Sequence, residues 1–145
     1  MHPSILVIDD NADHLELTVM ALGECCDPSQ VATMSDGVEA LDWLFGRGQF
    51  ASRDTTRQPR LIILDMKLVR MHGLDVLKAL RNDPRTATVP VVMHSSSTEN
   101  TDIAACYAHG ANSYVRKASD FDELRRRMRQ VHEFWLTVNE GPRLA

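Results

Sequence analysis

Short apolar runs recur along the chain and alternate with helix-like segments, and this alternation restricts the possible folds more than any other feature. Ile5–Ile8 and Leu61–Leu64 contain no polar residue, and Val91–Met93 follows the same pattern. Unbroken apolar runs of this length are typical of strands buried on both faces, as in parallel sheets. Weaker runs at residues 30–34 and 113–116 bring the number of predicted strands to five.

Between the runs, apolar residues spaced three and four positions apart predict helices. The predicted helices are Ala12–Leu22, a segment from Asp36-Gly37 to Phe45, a segment from Gly73 to residue 81, one around Ile103 and Tyr107, and one from Phe121 to about Val138. Residues 46–59 are polar and aperiodic, which predicts a long surface loop.

The alternation of strands and helices predicts an α/β fold of the flavodoxin-like, doubly wound (βα)5 type with an extended C-terminal helix. Right-handed crossovers favour a five-stranded parallel sheet in the order 2-1-3-4-5. We expect one domain over residues 1–138, followed by a C-terminal tail over residues 139–145.

The charge and the chain ends restrict the location and the partners of the protein. The net charge of −4 argues against a surface built to bind nucleic acid. No apolar run approaches the roughly 20 residues that span a bilayer, and the start at Met1-His2-Pro3 lacks the features of a signal peptide. Only Asn139 to Ala145 follow the last predicted helix, too few for a DNA-binding domain. We expect a cytoplasmic protein with no DNA partner and no membrane partner.

Polar side chains stand at the ends of four predicted strands. They are Asp9 and Asp10, Asp65, Ser95 with Ser96, and Lys117. Ligands of open parallel sheets bind outside the carboxyl ends of the strands, so these side chains are expected to share one site. A single acid at a strand end is often only a helix cap. Complementary chemistry at four strand ends favours a functional site.

The acids of this predicted site point to a bound cation. Three carboxylates close together repel one another, and a hard cation removes that repulsion. Magnesium takes one or two protein carboxylates, several waters and substrate oxygens, which suits phosphoryl transfer. With the ammonium group of Lys117 beside them, the acids predict a Mg2+-dependent phosphoryl-transfer site.

Several segments resemble the receiver domains of two-component response regulators, across roughly residues 4–129. They read ILVIDDN, SDGVEALDWL, LIILDMKL with the later His72-Gly73, PVVMHSS and SYVRK. The resemblance implies a single-domain response regulator in a phosphorelay. Asp65 would accept the phosphoryl group from the phosphohistidine of a histidine kinase. Such a protein is a phosphoacceptor and not an enzyme, except that it catalyses its own phosphorylation and slow autodephosphorylation.

The resemblance also implies how the cofactor is held. Asp10, Asp65 and the backbone carbonyl of Lys67 would ligate Mg2+, and Asp9 would assist through a bound water. Lys117 would contact the phosphoryl oxygens. The side chain of Lys67, two residues after the acceptor, is expected to shield the phosphoryl group from water and so to slow dephosphorylation.

Two further positions would carry the response to phosphorylation. By resemblance, Ser95 is the switch hydroxyl and Tyr114 the switch aromatic. The new charge would attract the Ser95 hydroxyl and the Lys117 ammonium. Tyr114 would then turn inward into the space that Ser95 leaves, which alters the face made by the fourth helix, the fifth strand and the last helix.

The chain departs from the receiver pattern at two loop positions. Receivers usually carry a proline, joined by a cis bond, after the active-site lysine, and here the residue is Ala118. A non-proline cis bond costs about 2.5–4 kcal/mol, so this loop is either trans and rebuilt or strained. The usual proline four residues after the acceptor is Val69. Neither change touches a reacting atom.

Two segments resemble the small regulators that partner phytochrome-type histidine kinases. They are Leu44-Phe45-Gly46-Arg47-Gly48, which begins the long loop, and Glu133-Phe134-Trp135-Leu136, near the C-terminus. We therefore expect the kinase partner to be a sensor kinase of the phytochrome type, such as a bacteriophytochrome.

The last predicted helix is expected to contribute to a homodimer interface, together with the fourth helix and the fifth strand. Its apolar stripe is Phe121, Leu124, Met128, Val131, Trp135 and Val138. The helix would run to roughly 27 Å and exceed a typical strand of about 17–20 Å, so Trp135 and Val138 should overhang the domain. Phe134 and Leu136 would widen that apolar surface, which a second copy can bury. The alternative is that Trp135 folds back onto its own domain.

Two other functions compete with a phosphoaccepting receiver. A haloacid-dehalogenase-like phosphatase also uses an aspartate nucleophile at a strand end, but it needs a second aspartate two residues later, where this chain has Lys67. A degenerate receiver that only binds partners would not need the full set of acids and Lys117.

Overall fold

The described part of the chain, residues 2–142 of a computed structural model, alternates strands and helices throughout. The strands are β1 (Ile5–Ile8), β2 (Val31–Met34), β3 (Leu61–Leu64), β4 (Val91–Ser95) and β5 (Ser113–Arg116). The α-helices are α1 (Ala12–Leu22), α2 (Gly37–Phe45), α3 (Gly73–Arg81), α4 (Asn100–Ala108) and α5 (Phe121–His132). Within residues 2–142, no helix combines the length and the apolar character needed to cross a membrane.

The strands form one parallel sheet in the order β2-β1-β3-β4-β5. Ile5 lies opposite Val31 on one side and Leu61 on the other. The predicted flavodoxin-like order is therefore confirmed. The order reverses between β1 and β3, so the carboxyl ends of these two strands border the crevice where ligands of such sheets bind.

The core consists of two layers, one on each face of the sheet. Leu6 and Ile8 pack with the helices α2, α3 and α4, whereas Ile5 and Val7 pack with α1 and α5. Successive strand residues point to opposite faces, so a strand between two layers of helices needs apolar residues at every position. This requirement accounts for the unbroken apolar runs in β1 and β3, whose residues are all buried.

The segment between α2 and β3 is a loop, as predicted, with one short 3-10 helix at Gly48–Phe50. Arg53 holds it against α2. Its guanidinium stacks over the Trp43 ring, 3.6 Å from the centroid, and donates hydrogen bonds to the carbonyls of Trp43 and Leu44 at 2.9 and 3.3 Å. The loop is thus tied to the C-terminal end of α2, at a distance from the carboxyl ends of the strands.

The C-terminal helix extends to Val138 but changes geometry at its end. After His132 it continues as a π-helix over Glu133–Val138, which places one more residue in each hydrogen-bonded turn. The added residue shifts the helical phase, and both Trp135 and Leu136 pack against the core layer of α1 and α5. The expectation that Trp135 overhangs the domain is therefore wrong. Val138 does project, with 61% of its surface exposed.

Candidate functional site

An acidic cluster lies at the carboxyl ends of β1 and β3. Ligand oxygens of Asp9, Asp10 and Asp65 lie within 4.8 Å of one another. Asp9 and Asp65 are buried, whereas Asp10 is exposed. The backbone amide of Asn11 donates to Asp9 Oδ1 at 2.9 Å, and the side chain of Asn11 caps α1. The start of α1 therefore fixes the first two acids directly beside β3.

Lys117 connects the two buried acids. Its Nζ donates to Asp9 Oδ2 at 2.9 Å and to Asp65 Oδ2 at 3.0 Å. All three side chains are less than one-tenth exposed. The backbone amide of Lys117 donates to the Ser95 carbonyl at 2.8 Å, so the pairing of β5 with β4 sets the position of this ammonium group.

The charges of this group are unevenly balanced. Burial would lower the pKa of Lys117, but its hydrogen bonds and attraction to Asp9 and Asp65 outweigh burial and raise that pKa. Burial also raises the pKa of Asp65; the ion pair with Lys117 opposes this rise, and the charge of Asp9 adds to it. One ammonium shared by two carboxylates leaves Asp65 short of positive charge.

This donor set fits a divalent cation. Three carboxylates with converging oxygens are hard ligands of the kind that magnesium and calcium prefer. A cation held by Asp10 and Asp65 would also supply the positive charge that the buried Asp65 carboxyl lacks. Among residues 2–142, the aspartate cluster is the one group of acids, histidines or cysteines with such geometry.

The loop between β3 and α3 approaches Asp65 closely. The amide of Lys67 donates to Asp65 Oδ1 at 3.2 Å, while the Lys67 side chain is exposed. At the end of the loop, a Cβ on Gly73 would stand 2.3 Å from the Asp65 carbonyl oxygen. The amide of Gly73 donates to the Met66 carbonyl at 2.8 Å. Only glycine allows α3 to begin this close to the end of β3.

Ser95 and Tyr114 are joined through a residue that the sequence did not single out. The amide of Ser97 donates to Ser95 Oγ at 3.2 Å, and the Tyr114 hydroxyl donates to the Ser97 carbonyl at 2.8 Å. Ser97 Oγ in turn donates to Asp102 of α4 at 2.6 Å. The Tyr114 ring packs against the core, so it is already turned inward.

The sequence left open whether the peptide bond between Lys117 and Ala118 is cis or trans. Residues 2–142 contain no cis peptide bond, so Lys117–Ala118 is trans. Ala118 packs against the core layer of α1 and α5. The loop before α5 therefore reaches its position without the cis bond that proline usually provides there.

His94 is a second residue that the sequence did not single out. It lies in β4 directly before Ser95, is 3% exposed, and its Nε2 has no hydrogen-bond partner. Burial and, to a smaller extent, the nearby Lys117 ammonium lower its pKa to about 4. The available signal was a histidine at the end of an otherwise apolar run.

A family model described as the response regulator receiver domain matches residues 5–129. The probable methanogenesis regulatory protein FilR2 of Methanothrix harundinacea is 30% identical over 138 residues, which cover 95% of this chain and 86% of that protein.

Two solved structures with similar folds are phytochrome response regulators. The phosphorylated cyanobacterial phytochrome response regulator RcpA superposes with a TM-score of 0.89 at 31% identity, covering 99% of this chain and all of that one. The bacteriophytochrome response regulator RtBRR has a TM-score of 0.74 at 36% identity, covering 98% of this chain and 85% of that one. The similarity that the two short segments predicted is therefore confirmed.

Proposed function

Because the chain belongs to the response regulator receiver domain family, we propose that it accepts a phosphoryl group on Asp65 from a histidine kinase. The observation that carries the proposal is the Lys117 ammonium, which donates to both Asp9 and Asp65 at the edge of the acidic cluster. A buried carboxylate beside a fixed cation and two further acids has the parts that phosphoryl transfer needs.

The transfer would form one bond and break another at the same phosphorus. An Asp65 oxygen attacks in line, the O–P bond forms as the N–P bond breaks, and the histidine imidazole leaves with the electron pair. Lys117 lies where it can neutralise charge on the transferring oxygens. Asp10, Asp65 and the Lys67 carbonyl would hold Mg2+, with Asp9 assisting through water; the bound ion supplies further positive charge to those oxygens.

Ser97 would relay the response to the surface. A phosphoryl group on Asp65 attracts the Ser95 hydroxyl, and that hydroxyl now accepts from the Ser97 amide. Movement of Ser95 therefore changes the Ser97 backbone, whose carbonyl holds Tyr114 and whose side chain bonds to α4. The switch that the sequence predicted from two residues would thus work through three.

A labelling experiment tests the proposal. The protein is incubated with acetyl phosphate, with and without Mg2+, and the modified residue is located by mass spectrometry. We expect Mg2+-dependent labelling of Asp65. Absence of labelling would leave a module that only binds partners, and steady hydrolysis of a generic phosphomonoester would indicate the phosphatase alternative.

The kinase partner is proposed to be of the phytochrome type, and the protein to act in the cytoplasm without a DNA or membrane partner. The similarity to RcpA and RtBRR supports this choice of kinase. We propose residues 1–138 as the receiver unit and residues 139–145 as its tail. Phosphotransfer from a panel of purified kinases that includes a phytochrome tests the pairing, and a faster transfer from an unrelated kinase would contradict it.

We predict that Asp10→Ala loses Mg2+ binding. Removing a group that hydrogen-bonds to a metal ligand weakens metal binding about 10–100-fold, and losing a direct ligand should weaken it at least as much. Wild-type binding should itself be weak, since protein supplies only two carboxylates and one carbonyl. Titration of amide chemical shifts measures both. Asp13→Ala, an exposed acid in the first turn of α1, is the control, and an unchanged affinity in Asp10→Ala would move the site elsewhere.

We predict that Lys67→Ala loses its phosphoryl group faster than the wild type. The exposed Lys67 side chain begins two residues after Asp65 and can lie over the phosphoryl group, hindering in-line attack by water. The effect should be up to roughly tenfold, or about 1.4 kcal/mol of barrier. Dephosphorylation is followed after removal of the donor. Lys78→Ala, exposed in α3, is the control, and equal rates for Lys67→Ala and wild type would defeat the proposal.

We propose a homodimer through the face that contains α4, β5, α5 and the C-terminal residues Phe134, Trp135 and Leu136. Among the C-terminal residues, the exposed apolar surface comes mainly from Phe134, which is 47% exposed, and Val138, since Trp135 and Leu136 also pack on their own core. The Phe134 ring lies edge-on to the Trp135 ring, with 4.9 Å between the ring centroids. This contact fixes the position of Phe134, which is then available to a second copy.

We predict that Phe134→Glu converts the dimer to a folded monomer. A charge buried at the centre of an apolar contact loses its hydration, and without an opposite charge nothing offsets that cost. Sedimentation at micromolar concentration measures the change. Met20→Glu, at a residue 53% exposed on α1, is the matched control and should remain dimeric. A wild-type protein that is monomeric at every concentration would contradict the dimer itself.

A further inference from the structure

The loop between β3 and α3 contains one residue in a conformation that its side chain disfavours. Arg70 has φ +67° and is the one non-glycine residue with positive φ among residues 2–142. The left-handed conformation costs an ordinary residue roughly 1–2 kcal/mol, and glycine adopts it freely. Residues 66–72 contain neither glycine nor proline, so nothing in the local sequence favours this turn.

Arg70 makes the only ion pair of this loop in the described part of the chain. Its guanidinium donates to Asp36 Oδ2 at 2.7 Å, across from the loop to the start of α2. Asp36 is largely shielded, with 17% of its side chain exposed, and its other oxygen accepts from the Glu39 amide at 2.7 Å. One carboxylate therefore caps α2 and holds the loop.

The charge and the backbone around this contact favour the ion pair. Burial would raise the pKa of Asp36, but its hydrogen bonds with Glu39 and Arg70 outweigh burial and lower that pKa. Beside the pair, a Cβ on Gly37 would lie 3.1 Å from the Met71 carbonyl oxygen and 2.8 Å from a Val76 methyl. The start of α2 and the loop are thus packed closely where Arg70 spans them.

We propose that Arg70 is a positioning residue that fixes the loop over Asp65 through its ion pair with Asp36. The loop carries the Lys67 amide, which donates to Asp65, and the Lys67 carbonyl, which is the proposed third protein ligand of Mg2+. An ion pair whose arginine is 57% exposed to solvent contributes at most about 1 kcal/mol to stability, no more than the disfavoured turn costs. Arg70 therefore adds order to the loop and little to the stability of the fold.

Two variants separate this role from a purely structural one. Arg70→Gly removes the ion pair and also relieves the backbone, so the melting temperature should stay the same or rise. Asp36→Asn removes the charge but keeps a capping oxygen, because asparagine caps helices as well as aspartate. Arg47→Ala is the control, since Arg47 is also 57% exposed but pairs with Asp42 at the C-terminal end of α2, away from the loop.

We expect faster hydrogen exchange at the Lys67 amide and roughly tenfold weaker Mg2+ binding in Arg70→Gly and in Asp36→Asn, as is found for partners of metal ligands. The double variant should be no weaker than either single one, because both remove the same contact. The control should match wild type.

The Mg2+ part of this expectation rests on the proposed function, whereas the exchange of the Lys67 amide does not. A wild-type protein that neither binds Mg2+ nor accepts phosphate would refute the proposed function alone. Wild-type exchange at Lys67 in both variants would overturn the role of Arg70, and so would additive losses in the double variant.

Discussion

Asp65→Asn should abolish phosphorylation, both by acetyl phosphate and by any kinase, while the domain stays folded. The amide fills the same volume as the carboxylate but cannot attack phosphorus. Lys117 keeps its hydrogen bond to Asp9 at 2.9 Å, so the ammonium is not left buried and alone. Because burial raises the pKa of Asp65, its ionised form disfavours the folded state at neutral pH, and the variant should unfold at an equal or higher urea concentration.

Mass spectrometry after acetyl phosphate treatment measures this loss, and circular dichroism reports the fold. Asp75→Asn is the matched control, because Asp75 is an exposed acid in the first turn of α3 and should label as wild type does. Labelling of Asp65→Asn with wild-type kinetics would place the acceptor elsewhere. A variant that unfolds would make the buried carboxylate a structural requirement, which the retained contact of Lys117 with Asp9 argues against.

The strand ends could be predicted from the sequence because two independent constraints coincide there. Strands buried on both faces must be apolar throughout, so the first polar residue marks where β1 and β3 end. Parallel strands bring those ends to one edge, so the sequence alone predicts that Asp9, Asp10 and Asp65 lie together. The acidic cluster within 4.8 Å follows from these two rules.

Contacts between distant segments could not be predicted in this way. The ion pair of Arg70 with Asp36 joins residues 34 positions apart, and neither periodicity nor a motif indicates it. The C-terminal helix shows the second limit. The predicted apolar stripe was based on α-helical spacing along the whole helix. Because the helix becomes π-helical after His132, Leu136 lies against the core instead of off the stripe. A change of one residue per turn leaves no mark in the composition.

His94 shows a third limit of prediction from sequence. Its position in an apolar strand predicts that it is buried, whereas its polar side chain would predict that it is exposed. Replacing it with leucine should raise the free energy of unfolding at neutral pH. The Nε2 atom is buried without a hydrogen-bond partner, and such an atom costs about 1–3 kcal/mol relative to an apolar group of similar shape. His94 sits at the end of β4, in the part of the sheet where Val92 and Met93 are fully buried.

The same variant should remove a pH dependence of stability. The pKa of His94 is about 4 in the folded protein, because of burial and of the Lys117 ammonium, with smaller contributions from His14 and Arg127 that lower it and from Asp9 that raises it. In the unfolded chain it is about 6.5. Protonation of His94 therefore favours the unfolded chain: stability is unaffected above pH 6.5 and decreases as the pH falls towards 4, at about 1.4 kcal/mol per pH unit.

Urea unfolding at pH 7 and pH 5 measures this difference, which should be about 2 kcal/mol for the wild type after subtraction of His94→Leu. Asp65 titrates in both proteins and changes stability in the opposite direction, since its pKa is raised, so the subtraction removes its effect. His2→Gln, at an exposed residue, is the control and should keep the wild-type slope. Equal slopes in wild type and His94→Leu would mean that the buried imidazole has a partner in solution, such as a water bound at Nε2.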